Sequence, residues 1–231
     1  MSAKLQLCQF IKLGSVNTIA YISALFVVVP LICGLFVFNR LKQQGLLIFL
    51  TYLTGTFLSE SITVNLASRK IYTHLLGNIY LLFECVILII ILSYWIYDRV
   101  AHWIKLLIAL YAVFWIGSML VLKSTLLNDY SFTLERFILM CLSGYFLLKF
   151  MVRTEGQNPF NSAQFWMASG IFIYFTSTIV IFSMAGIYMT GKSARVTNYF
   201  SIFNSIINIF SYSIYSIGFL NMLPRRKLNS L

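Results

Sequence analysis

Seven apolar runs separated by short polar stretches extend along the chain, at about 16–38, 45–66, 73–97, 103–122, 131–151, 163–188 and 198–222. A helix needs about 20 apolar residues to cross a bilayer, so each run is long enough. Polar side chains inside the runs recur at steps of three and four, the spacing of one helix face. The expected fold is therefore all-α: a polytopic membrane protein forming a seven-transmembrane-helix bundle, with residues 1–231 as a single transmembrane domain. The first run lacks the small-residue cleavage site of a signal peptide and is followed by six comparable runs, so it reads as a span. Its Pro30 predicts a kink, which neighbouring helices can accommodate in a membrane.

The interruptions inside the runs carry the candidate chemistry. In the second run Thr56, Glu60 and Thr63 share a face. In the third, Gly77, Tyr80 and Glu84 align, with His74 and Asn78 on an adjacent face. Glu135 and Arg136 lie near the start of the fifth run. The seventh carries Ser201, Asn204, Ser205, Asn208, Ser211, Tyr212 and Tyr215 as one polar stripe, which must face inward. The fourth run is nearly all apolar and is expected to be the most lipid-exposed or structural helix, while Ala168, Ser169 and Gly170 of the sixth permit close helix approach.

A charge at the bilayer centre costs about 2.5–3.5 kcal/mol on insertion scales, so an intramembrane acid faces a protein interior or wet cavity and often marks a functional site. With seven antiparallel spans, the ends near Leu66, Thr73 and Ser131 lie on one membrane face. Glu60 is then about two turns inward, Glu84 about three and Glu135 about one, at 3.6 residues per turn. The three acids are expected in one half of the bilayer, in a polar pocket built from spans two, three, five and seven. Glu60, Glu84, Glu135, Asn204, Asn208, Tyr80, Asn78 and His74 are the candidate ligand-binding residues.

Composition narrows the partners. The chain is 60% hydrophobic and 10% charged, with a mean hydropathy of +0.86, which leaves little beyond the spans, short connections and two tails. Any signalling output is expected through the bundle itself or a cytoplasmic or membrane partner protein. The net charge of +11 comes from Lys and Arg scattered in twos and threes at segment ends, where they sit among headgroups; this excludes nucleic acid as the expected partner and leaves the lipid bilayer. Counting those residues by connection gives seven on one side and nine on the other, with the PRRK tail on the nine side. The expected orientation is N-terminus outside and C-terminus cytoplasmic. Cys8, Cys33, Cys85 and Cys141 form no CxxC pair, and the last three read as small buried hydrophobes.

Several functions compete for the acids. They can be structural anchors, paired with Arg136 or hydrogen-bonded between helices. Glu60, Glu84, Glu135 and His74 are the candidate ligands for a divalent cation, although no HExxH, ExxH or histidine cluster is present and no cofactor is expected. The same shortage of histidine argues against a zinc hydrolase of the membrane-ceramidase type. An intramembrane metal-dependent hydrolase and a proton- or cation-coupled solute transporter are the alternatives to a receptor-like binding protein, and an enzyme is the less favoured class. The transporter reading lacks an internal repeat and has one proline within the spans. A retinal Schiff base is excluded because the seventh span has no lysine.

The stretches NIYLLFECVILII, QFWMASGIFIYF and NIFSYSIYSIGFL resemble the third, sixth and seventh spans of a group of small bacterial seven-span proteins described only as hypothetical integral membrane proteins. That resemblance implies a bacterial inner-membrane location and the seven-span fold. It implies no activity and no role for Glu84, Trp166 or Asn208. The leading expectation is a seven-helix membrane sensor or binding protein whose outer-half pocket takes a small polar or cationic ligand.

Overall fold

The apolar runs fold as helices, and among the described residues there is no strand. The computed structural model describes residues 18–41, 46–69, 73–97, 101–122, 129–153, 158–188 and 194–223. Helix α1 is interrupted and consists of the pieces Thr18–Phe26, Val28–Phe36 and Phe38–Leu41. The continuous helices are α2 (Leu47–Ser68), α3 (His74–Tyr97), α4 (His102–Leu122), α5 (Asp129–Arg153), α6 (Ala163–Tyr188) and α7 (Ala194–Leu220). A 3-10 turn, Pro159–Asn161, precedes α6 and is capped by the Asn158 side chain, which accepts from the Phe160 amide at 3.0 Å.

Six of these helices, α2 to α7, are long and apolar enough to cross a membrane. The first run differs from its expected form: in place of one kinked helix, α1 breaks twice, and its apolar part, Ile22–Phe36, is shorter. Pro30 accounts for the first break. Its ring lacks an amide proton and crowds the carbonyl four residues back, which is that of Phe26, the last residue of the first piece.

Side-chain burial divides each helix between core and periphery. Helix α4 is the most peripheral and packs chiefly on α3 and α5, with Leu106, Leu110, Val113, Ile116, Leu120 and Val121 exposed along it. A water-soluble monomer rarely exposes an apolar surface of that extent, whereas lipid covers it at no cost. Helices α6 and α7 pack extensively, and Gly170 makes room for Tyr215: a Cβ on Gly170 would lie 2.5 Å from the tyrosine ring. Toward one end of the bundle Trp95, Tyr215 and Phe219 pack around Phe49, with ring centroids 5.0–6.2 Å from it. Lys149 of α5 ties that end together by donating to the Ile96 carbonyl at 3.1 Å while lying over the Tyr97 ring. Cys33, Cys85 and Cys141 are free thiols; Cys85 is buried, Cys33 half-buried and Cys141 exposed, and Cys8 lies outside the described residues.

Candidate functional site: a tyrosine-lined carboxyl pocket

Glu84 sits in the middle of α3, where helical spacing places Tyr80 one turn before it. Both Tyr80 and Tyr52, the latter from α2, donate their hydroxyls to Glu84 Oε1, at 3.3 and 2.9 Å. Thr56, one turn along α2 from Tyr52, bonds the Tyr80 hydroxyl at 2.9 Å. One further turn of α2 brings Glu60, whose Oε1 accepts from Tyr212 of α7 at 3.3 Å. The stripe on α7 thus faces the two acids, and α6 contributes Tyr174. Together Tyr52, Thr56, Glu60, Tyr80, Glu84, Tyr174, Asn208, Ser211, Tyr212 and Tyr215 line a cavity of about 50 Å³. A void needs about 10–15 Å³ of such volume for one water, so this one has room for a few water-sized groups.

Two polar atoms on its wall stand without a hydrogen-bond partner among the described residues: Glu60 Oε2 and Ser211 Oγ. An orphaned polar atom in the interior costs about 1–3 kcal/mol, which makes the pocket a place where a donor or a cation is favoured. Five tyrosines, Tyr52, Tyr80, Tyr174, Tyr212 and Tyr215, thus share the wall with the two carboxyls.

Glu135 lies elsewhere. It is fully buried on α5 and pairs with its neighbour Arg136, Oε2 to the guanidinium at 3.3 Å. The Arg136 guanidinium is 3.3 Å from the centre of the Phe132 ring, faces Tyr174 and Phe175 at longer range, and reaches Glu84 electrostatically. Glu135 and Arg136 therefore form a flank behind the cavity and are absent from its lining, so the fourth wall comes from α6 rather than from the fifth span.

The remaining candidates divide in the same way. Tyr80 and Asn208 line the cavity, whereas Asn204 lies one turn further along α7, its Oδ1 without a partner among the described residues. Asn78 is buried, and its backbone carbonyl accepts from Trp115 of α4 at 3.0 Å. His74 begins α3, and its side chain lies outside the described residues. Among the described residues no three His, Cys, Asp or Glu side chains gather as a metal site would require. Sequence reasoning missed Tyr52 and Tyr174. Tyr52 was legible, because it precedes Thr56 and Glu60 at steps of four; Tyr174 sits in an aromatic run with no such signal.

No protein-family model matches the chain, and no curated protein or solved structure is detectably similar to it.

Proposed function

We propose that this protein is a seven-span, receptor-like sensor of the bacterial cytoplasmic membrane that binds a small cation in the tyrosine-lined pocket. Its N-terminus lies outside, and the pocket opens in the outer half of the bilayer. The observation that carries this reading is a charge imbalance. Among the described residues Arg136 is ion-paired with Glu135 and acts on Glu84 only at longer range, while the hydrogen bonds to Glu60 and Glu84 come from tyrosine hydroxyls and Glu60 Oε2 has no partner. A monocation would supply the missing positive charge, and the tyrosine rings would hold it by cation–π attraction, about 2 kcal/mol or more per ring contact when desolvated. The size of the cavity favours ammonium or methylammonium over larger solutes.

Signalling rather than conduction is favoured by the opposite end of the bundle. There Trp95 and Phe219 pack on Phe49 just beyond Tyr215 of the pocket wall, and among the described residues no acid is buried beside them. The pocket residues come from α2, α3, α6 and α7, so a cation drawn between them changes the packing of four helices at once. A cytoplasmic or membrane partner would read that change.

The test is thermal unfolding of the protein in phospholipid nanodiscs with methylammonium chloride, using sodium chloride as the ionic-strength control. Binding to the folded state alone stabilises by about 2.7 kcal/mol at a hundredfold excess over Kd, which raises the midpoint by several degrees. Glu60→Gln and Glu84→Gln should each abolish the shift. An equal shift in wild type and both variants would refute the pocket as the cation site.

A further inference from the structure

Glu60 faces two spaces. One is the tyrosine-lined pocket; the other is a groove of about 360 Å³ on the flank of the bundle, lined by Ala24, Leu25, Phe57, Glu60, Ser61, Val64 and Asn65. The groove lies between α1 and α2. Leu25 is 64% exposed, and Ser61 and Asn65 are exposed as well, so the groove opens sideways at the level of the membrane rather than along the bundle axis. It is graded: Ser61 and Asn65 mark the end nearer the terminus of α2 at Ser68, while Phe57 and Leu25 lie deeper. A lipid-like molecule in the adjoining leaflet has the same gradient, with its head near the surface and its tail pointing to the midplane.

We infer that the ligand is a single-chain alkylammonium amphiphile that reaches Glu60 laterally from the leaflet through the groove between α1 and α2. This rests on the cation-binding reading of the pocket and adds the apolar tail and the route. Charge complementarity selects the head: Glu60 Oε2 has no partner among the described residues, and Tyr212 supplies the one hydroxyl bonded to the other oxygen. An anionic head would meet Glu60 with like charge, and a neutral head would leave the carboxyl uncompensated. The tail then runs past Phe57 and Leu25, whose surfaces would otherwise be covered by bulk lipid.

Labelling of the nanodisc-embedded protein by N,N′-dicyclohexylcarbodiimide, which partitions into lipid, tests the route, with the modified residue located by mass spectrometry. Glu60 should be modified ahead of Glu84 and Glu135, and faster than by a water-soluble carbodiimide. Dodecylammonium should slow that modification about fivefold at four-fifths occupancy, while dodecanol, with the same tail and no charge, should not. Ser61→Phe, which fills the groove at an exposed position outside the tyrosine pocket, should slow labelling while leaving stabilisation by methylammonium intact. If methylammonium stabilises the protein but dodecylammonium gives no protection, or if the water-soluble reagent labels Glu60 equally fast, lateral access is overturned and the cation pocket stands. If neither ammonium has any effect, both readings fall.

Discussion

Glu135 and Arg136 show how differently interior acids are held in one bundle. Removing Arg136 leaves a fully buried carboxyl whose second oxygen, Oε1, already has no partner among the described residues. Breaking a buried ion pair by deleting one member costs roughly 3–5 kcal/mol, more than the pair itself contributes, because the surviving charge is uncompensated. Arg136→Gln should therefore lower the unfolding midpoint strongly, and the double variant Glu135→Gln/Arg136→Gln should recover most of that loss, as a double-mutant cycle in nanodiscs would measure. Glu60 should respond differently to neutralisation. Among the described residues it accepts only a tyrosine hydroxyl, so Gln there removes a site for a cation without stranding a partner charge, whereas Glu84→Gln also removes an acid that Arg136 acts on. The acids were legible in the sequence because a carboxyl in an apolar run is costly wherever it points. Their separate surroundings were not, since which neighbour lies across a helix interface is invisible in the order of residues.

At the scale of the element, small residues and proline decide more than hydrophobicity does. Gly170 lets α6 approach α7 until the Tyr215 ring fills the space a side chain would need. Gly170→Leu would push that ring out of the pocket wall, and overpacking of this kind costs typically about 1–3 kcal/mol. The expected outcome is a lower unfolding midpoint together with weakened methylammonium stabilisation, whereas Gly117→Leu, where a Cβ meets nothing within 4 Å, should change neither. The close approach was readable from the cluster Ala168, Ser169 and Gly170, and the kink from Pro30. The division of α1 into three pieces was not, because the second break, at Val37, follows a run of apolar residues with no helix-breaking residue beside it.

For the whole molecule, the polar pocket adjoins the aromatic group around Phe49, with Tyr215 common to both. Reconstituted in liposomes with a potassium or proton gradient, the protein should give no flux above protein-free vesicles. Sustained flux through wild type, lost in Glu84→Gln, would favour the transporter class instead. The sequence by itself determined that the chain is helical, that its helices are apolar enough to lie in a membrane, and that costly acids occur at defined depths along them. These follow from hydropathy and the 3.6-residue period, which are local properties. Only the tertiary structure decided which acids share a cavity, that α6 rather than α5 completes its wall, and that Glu60 faces both the pocket and the lipid-side groove. Those outcomes depend on the rotation of each helix about its axis and on the close fit of α6 against α7, which packing between distant segments sets.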